Sequence, residues 1–242
     1  MHIDVTFTPQ ELRRLRPVGA TVVVIDVIRA ATTVATALAN GCAGVIPVVS
    51  VAVARRTAAA LASEQPLLGG ERGGLRIPGF DLGNSPSEYI RADVGGRLVV
   101  FTTSNGTATL HAAAGAAEVL MAALVNLEAV VQHAHRAGRP VVFACSGRGR
   151  RPVLDDTVVA GLMATHLAAL VGAAALPTDA AQIAMQAAAP YAADPLRALQ
   201  ASASARDRPD FEPDLCACAQ RDVFDVVPVL RDGRLVCGGA SA

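Results

Sequence analysis

The chain has no lysine and no tryptophan, so all 21 of its basic residues are arginine. Acidic residues also number 21, leaving no formal net charge, and aromatics make up only 3% of the residues. There is neither a basic excess to draw the protein to phosphodiester backbones nor a set of rings on which bases could stack, so nucleic acid is not an expected partner. Cysteine is scarce: Cys42, Cys145, Cys216, Cys218 and Cys237 form an odd set with no C-x-x-C pair. That excludes a disulfide framework and a structural zinc site as leading readings and leaves small apolar fillers. Cys216 and Cys218, two apart, fall on different faces of a helix. A run of about 18 uninterrupted apolar residues is also missing. The opening segment, MHIDVTFTPQELRRL, carries polar and acidic groups where a secretory signal needs an apolar centre. The greasiest stretch, Val158 to Pro177, holds His166 and is broken by Gly161 and Gly172, as a buried helix tolerates better than a membrane span. A soluble, cytoplasmic protein with no membrane partner is expected. Histidines supply no i, i+4 metal pair, since His133 and His135 are two apart and His111 and His166 lie alone in helical stretches.

What is present is a hydrophobic majority, 52% of 242 residues, enough to bury a core without cross-links. Three runs rich in Val and Ile each end in a cluster of small, hydroxylic and charged residues. VVVI leads into Asp26-Val27-Ile28-Arg29, LVVF into Thr102-Thr103-Ser104-Asn105-Gly106-Thr107, and VVFA into Cys145-Ser146-Gly147-Arg148-Gly149-Arg150. Uninterrupted runs of this kind read as strands buried on both faces, and the Ala-rich stretches after them read as helices. Strands are expected near 2–7, 21–25, 45–49, 119–120 and 140–144, with helices near 9–15, 30–40, 52–62, 106–114 and 127–136. Asp155 or Asp156 is placed to cap a long helix that follows. The stretch from Glu64 to Pro86 is punctuated by Gly69-Gly70, Gly73-Gly74, Pro78-Gly79 and Gly83-Asn84 and reads as a long active-site loop. Helical pieces outside the sheet are expected over 178–205, an exposed segment over 202–213, and a closing β-hairpin over 226–236 around Asp232-Gly233. The fold class is α/β: a three-layer α/β/α arrangement around a largely parallel or mixed sheet, forming one domain over 1–242.

In such folds strand-to-helix turns gather at the carboxyl edge, where free N–H groups favour a phosphate or carboxylate. Asp26 can be held there as metal ligand or nucleophile, or can simply cap the helix. Ile28 stands where the D-x-D-x-T pattern needs its second Asp, so that mechanism is not supported. The T-T-S-N-G-T run offers hydroxyls, an amide and a flexible backbone to phosphoryl oxygens. Cys145 and Arg151 superficially match a C-x5-R thiolate loop. However, Ala144 replaces the usual preceding His and the glycines fall elsewhere, so Cys145 reads as packing. Arg148, Arg150 and Arg151 either bind an anion or are solvated.

Taken in order, Asp26-Val27-Ile28-Arg29-Ala30-Ala31-Thr32-Thr33 with Thr36-Ala37-Leu38, Gly70-Glu71-Arg72, Gly79-Phe80-Asp81-Leu82-Gly83-Asn84-Ser85-Pro86 and Thr102-Thr103-Ser104-Asn105-Gly106-Thr107 closely resemble the 2-phosphosulfolactate phosphatase family. The resemblance runs from about Val22 to Gly161, and the segment Asp222 to Pro228 is similar to that family's closing D-x-VP element. It implies a magnesium-dependent phosphatase that converts 2-phosphosulfolactate to sulfolactate and phosphate. On that reading Asp26, Arg29 and Glu71 are the expected catalytic residues. Arg72, Asn84, Ser85, Thr102, Thr103, Ser104, Asn105, Gly106, Thr107, Ser146 and Gly147 are expected to bind the substrate. Magnesium takes hard oxygen ligands, so Asp26, Glu71, Asp81 and Asp156 are its expected ligands. The partner is a small anionic phosphorylated molecule, and a homo-oligomer is left open. Two other classes stand beside it: a non-catalytic phosphometabolite-binding protein, and a metal-free phosphatase using Cys145.

Overall fold

The computed structural model describes residues 1–91, 94–208 and 211–238. Its strands are β1 (His2–Thr6), β2 (Thr21–Ile25), β3 (Gly44–Pro47), β4 (Leu67–Arg72), β5 (Leu75–Arg76), β6 (Leu98–Thr102), β7 (Glu118–Ala122), β8 (Val141–Cys145), β9 (Leu176–Pro177), β10 (Pro228–Arg231) and β11 (Arg234–Cys237). All eleven join one mixed sheet in the order β5-β4-β6-β3-β11-β10-β7-β2-β8-β1-β9. The connecting helices are α1 (Pro9–Leu15), α2 (Ala30–Ala39), α3 (Val51–Ala60), α4 (Pro86–Arg91), α5 (Gly106–Ala112), α6 (Leu127–Ala137), α7 (Leu154–Val171), α8 (Asp179–Ala188), α9 (Leu196–Ala201), α10 (Ala203–Arg206) and α11 (Glu212–Ala219).

The sheet consists of two parallel blocks. One is β4-β6-β3 and the other β7-β2-β8-β1-β9, with the C-terminal hairpin β10–β11 paired antiparallel to both. The expected hairpin is therefore the joint between the blocks, not an edge appendage. Three antiparallel steps separate β7 from β3, so the blocks run in opposite senses. Even so, the turns that follow β2 and β6 line one cavity.

Alternation along the strands divides the core between the two faces. Val23, Ile25, Phe143 and Cys145 pack with α6, α7 and α8, while Val22, Val24, Val142 and Ala144 face α1, α2, α4 and α5. Helix α7 is long and apolar enough to cross a membrane, yet Val158, Val159, Met163 and Leu167 are buried in the core beside α8. The split expected of Cys216 and Cys218 is observed, the first exposed and the second buried.

Three sequence expectations are corrected. The 64–86 stretch is not all loop, because β4 runs parallel to β6 within it. Its glycines make that pairing fit rather than break it. Gly70 adopts φ +137, and a Cβ there would collide with the Thr102 carbonyl, while one on Gly69 would strike the Tyr89 hydroxyl. Helix α7 is not capped by either aspartate: Val153 occupies its N-cap, and Asp155 and Asp156 lie in the first turn. The 202–213 segment is not simply exposed, since Ser202, Ala205 and Phe211 are buried against the body of the protein. The closing element around Asp222 serves folding, because its carboxylate accepts the Glu128 N–H at 2.6 Å where α6 starts.

Candidate functional site

Where β2 ends, Asp26 leaves the sheet and projects into a cavity of about 140 Å³. The turn after β6, the tip of the β4–β5 hairpin, the turn after β8 and the start of α7 complete its walls, and the α10–α11 region closes over it through Ser204, Arg208 and Phe211. Residues from distant parts of the chain therefore meet at the mixed sheet's interior edge.

Carboxylates dominate one side. Asp26 accepts the Ala30 N–H at 3.3 Å, and Gly106 sits so close that a Cβ would lie 2.8 Å from Asp26 Oδ2. Burial pushes the Asp26 carboxyl up to about 7; the Ala30 N–H and Arg29 oppose the rise, and the charges of Asp155 and Glu71 add to it. Asp156 accepts the N–H groups of Val27 at 3.0 Å and Gly147 at 2.9 Å, tying the ends of β2 and β8 to α7. Burial, reinforced by Asp155 and Asp26, raises its pKa well above the carboxylate range. Asp155, also raised by burial, accepts from the Ser202 hydroxyl at 2.6 Å and the Ser204 hydroxyl at 3.2 Å. None of these three carboxyls has an arginine ion-pair partner among the described residues, Arg29 and Arg148 being paired to Asp214 and Asp207, so protons or a bound cation would offset their charge.

Glu71 is spent differently. Its oxygens accept the Ser104 N–H at 2.7 Å, the Gly74 N–H at 2.6 Å and the Ser104 hydroxyl at 3.3 Å. It clasps the β4–β5 hairpin to the 103–105 turn and so shapes the cavity wall. Arg29 is buried, donating to Asp214 at 2.6 Å and to the Gly74 carbonyl at 2.8 Å, with its guanidinium 3.7 Å from the centre of the Phe211 ring. Arg208 stacks on the same ring and donates to the Gly73 carbonyl. Gly74, at φ +82, leaves the room these two groups occupy. In the same cavity wall, Thr103 Oγ1 and Asn84 Oδ1 are buried with no hydrogen-bond partner among the described residues, and Thr103 Oγ1 borders Gly106 as Asp26 Oδ2 does. Asn105 occupies the N-cap of α5 without using its side chain as a cap. Buried polar atoms left in this state are costly unless a ligand satisfies them.

Oxygen donors of this kind suit a hard divalent ion. Among the described residues no three acidic, His or Cys side chains are grouped to enclose a metal. Magnesium does not need such a cage, because it keeps several waters and is commonly held by one or two carboxylates together with phosphate oxygens. Asp26 and Asp156, with the Asn84 oxygen, fit that sparser mode.

Of the residues singled out from sequence, Asp26, Arg29, Glu71, Asn84, Thr103, Ser104, Asn105, Gly147 and Asp156 line the cavity. Others do not. Asp81 is exposed and accepts the Leu68 N–H at 2.8 Å, so it stabilises β4 and is withdrawn as a metal ligand. Arg72 turns back to its own strand's Glu71 carbonyl and to Thr102 Oγ1, occupying both residues. Ser85 donates to Asp214, Thr107 to the Thr103 carbonyl, and Ser146 accepts from Thr109; these hydroxyls are consumed behind the wall. Gly106 acts by its small size against Asp26.

Sequence reasoning missed Asp155 as a cavity residue and missed Asp214, Arg208 and Phe211 altogether. The last three lie in a polar stretch with no strand or turn signature, and only the tertiary fold brings Arg208 and Phe211 to the cavity and Asp214 to Arg29 behind it. Arg148, left between anion binder and solvated residue, is at the cavity wall.

Cys145 does not face the cavity. It is fully buried in the core on the α7 side of β8, where burial, reinforced by Asp156 and Asp155, pushes the thiol well above its usual range. The cysteine mechanism is therefore discarded, and Cys145→Ser is expected to keep most of the wild-type turnover while losing some thermal stability. A drop of several orders of magnitude in kcat with folding intact would contradict this.

With the geometry in place, similarity to known proteins becomes informative. The family model described as 2-phosphosulpholactate phosphatase matches residues 6–233. A probable 2-phosphosulfolactate phosphatase of Symbiobacterium thermophilum is 38% identical over 220 residues, covering 90% of this chain and 94% of the relative. One of Thermus thermophilus, with the same description, is 42% identical and covers 87% of each chain. A third, from Carboxydothermus hydrogenoformans, is 35% identical across 98% of this chain and 97% of its own length. The matched span includes every strand from β2 to β10 and every residue of the cavity wall. The chain belongs to the 2-phosphosulpholactate phosphatase family.

Proposed function

We propose that the protein hydrolyses 2-phosphosulfolactate to sulfolactate and inorganic phosphate in a magnesium-dependent reaction. One observation carries the reading: three buried carboxyls, Asp26, Asp155 and Asp156, line a single cavity together with the unpartnered Thr103 hydroxyl and Asn84 amide oxygen. A protein that merely held a phosphorylated metabolite would have no use for carboxylates that repel it. With a cation between, the same groups become an asset.

Asp26 and Asp156 would hold the metal, with Asn84 Oδ1 as a neutral oxygen ligand. When bound, magnesium polarises the phosphoryl group and offsets charge that develops in the transition state. Thr103 and Asn105 then donate to the phosphoryl oxygens from positions fixed by the Glu71 clasp on Ser104 between them, an arrangement that costs little reorganisation during reaction. Arg29, its guanidinium held by Asp214, Gly74 and Phe211, fixes the position of an acid group of the substrate.

Purified protein should release phosphate from 2-phosphosulfolactate with sulfolactate as the co-product. In the same assay Asn105→Ala, which removes one preorganised donor but no helix cap, should lower kcat by roughly 10²-fold. Absence of phosphate release from this substrate in excess magnesium would reject the reading.

A further inference from the structure

Arginine is the sole basic residue type available, and three arginines, Arg29, Arg148 and Arg208, line the cavity. They are held in different ways. Arg29 is buried and locked to Asp214, the Gly74 carbonyl and Phe211. Arg208 stacks on the other contact of the Phe211 ring and donates to Gly73. Arg148 stands at the mouth, where it donates to the Ala203 carbonyl at 2.8 Å and to Asp207. That ion pair is half open to solvent, with side-chain exposures of 42% for Arg148 and 58% for Asp207. Exposed pairs of this kind contribute little, so an incoming anion can replace Asp207 at small cost.

The backbone beneath Arg148 is more firmly placed than its ion pair. Arg148 and Arg151 exchange N–H···O bonds at 2.9 and 3.0 Å around Gly149 and Arg150, whose φ values of +56 and +67 are those of a tight hairpin turn. Gly147, also at positive φ, packs against the Arg151 carbonyl so closely that a Cβ there would lie 2.5 Å away. The turn thus fixes the base of a side chain whose head can change partner.

We propose that Arg148 is a specificity residue that binds the sulfonate of the substrate, exchanging Asp207 for it. The inference rests on the proposed function and deepens it. In 2-phosphosulfolactate one carbon carries the phosphate ester, the carboxylate and a methylene that bears the sulfonate. With the phosphoryl group among Asp26, Thr103 and Asn105, the sulfonate on its methylene arm has the longer reach of the two remaining acid groups and suits the more exposed arginine, Arg148, while the carboxylate suits buried Arg29. A sulfonate is ionised at every working pH and presents three acceptor oxygens, which suits the planar fork of a guanidinium.

The test compares 2-phosphosulfolactate with 2-phospholactate, which keeps phosphate and carboxylate and lacks only the sulfonate. The readout is the ratio of their kcat/KM values in wild type, Arg148→Ala, Arg148→Lys and Asp207→Ala. Arg148→Ala should reduce the preference for the sulfonate substrate by about 10- to 100-fold, the scale of one charged hydrogen-bonding partner. The loss should fall mainly on KM, and Arg148→Lys should recover part of it. Asp207→Ala, which removes the competing carboxylate, should raise the preference several-fold. An unchanged ratio in Arg148→Ala, an equal loss on both substrates, or a fall in the ratio on Asp207→Ala would each overturn the assignment. If wild type hydrolyses neither substrate, the phosphatase reading itself fails; if it hydrolyses both and the ratio does not respond, only the role of Arg148 fails.

Discussion

Asp26→Asn is expected to inactivate the enzyme and, at neutral pH without metal, to make the protein more stable. Asn keeps the shape and can still accept the Ala30 N–H, so a residue that served only as a helix cap would be replaced almost without penalty. If Asp26 instead supplies charge to a metal or takes a proton, kcat should fall by about 10²–10⁴-fold. The gain in stability follows from the raised carboxyl. In the unfolded chain an aspartate loses its proton near pH 4, whereas folded Asp26 holds it up to about 7. Between those values the unfolded state binds fewer protons than the native state, so stability is full below the window and declines as pH rises through it. The amide has no proton to lose and escapes that decline. Thermal unfolding of wild type and variant in chelator from about pH 4 to pH 8 should show the curves diverging upwards in pH, with the variant above. Near-wild-type turnover by a folded Asp26→Asn protein would leave only the capping role.

How much of this was legible in the sequence depends on whether the signal was local. The strands that carry the site, β2, β6 and β8, announce themselves as uninterrupted Val- and Ile-rich runs, because a strand buried on both faces has no polar side to alternate with. Asp26, Thr103, Ser104 and Asn105 follow those runs directly, so their arrival at a sheet edge could be read from the run alone. β4 was hidden for the opposite reason. Its Gly69 and Gly70 read as breakers, and the fact that decides otherwise, the close approach of Tyr89 and Thr102, is a tertiary contact. The central place of the β10–β11 hairpin was equally invisible, since a turn signal specifies a hairpin and not its neighbours.

The same distinction separates the site residues. Arg72 and Thr102 sit in motifs as suggestive as any, yet they satisfy each other, and no spacing rule reveals that pairing. Glu71, expected from sequence to hold metal, accepts backbone and serine donors on both oxygens, and Asp156 likewise accepts a backbone N–H on each of its own, structural roles that no spacing rule reveals. Asp155 was hidden beside Asp156 because adjacent residues in a helix point about 100° apart. Here the cavity is wide enough to be reached by both, the second through backbone N–H groups of β2 and β8 and the first through serines of the closing segment. Asp214 and Phe211, which fix Arg29, come from nearly the far end of the chain, and their role depends wholly on where α11 docks.

Chelation should abolish phosphate release, and added magnesium should restore it. Burial pushes Asp26, Asp155 and Asp156 each toward the protonated form, and neighbouring carboxylates add to the rise at Asp26 and Asp156, so ionising them without a cation is unfavourable. A phosphate dianion entering the same space would add to the repulsion. A divalent ion reverses both effects, and substrate binding as well as turnover should therefore depend on it. Because the ion binds the native arrangement and not the dispersed carboxylates of the unfolded chain, it should also stabilise the fold by about 2.7 kcal/mol at a hundredfold excess over Kd. For a chain of this size that corresponds to a Tm rise of roughly 5–10 °C. Protons compete for the same oxygens, so the rise should shrink as pH falls below about 7 and vanish in acid, the reverse of the metal-free trend. Asp26→Asn and Asp156→Asn should each lose most of it, while Asp81→Asn, on the exposed side of β4, should keep it in full. Full activity in excess chelator would reject the metal requirement, and an undiminished Tm rise in both cavity variants would place the ion elsewhere than between these carboxylates.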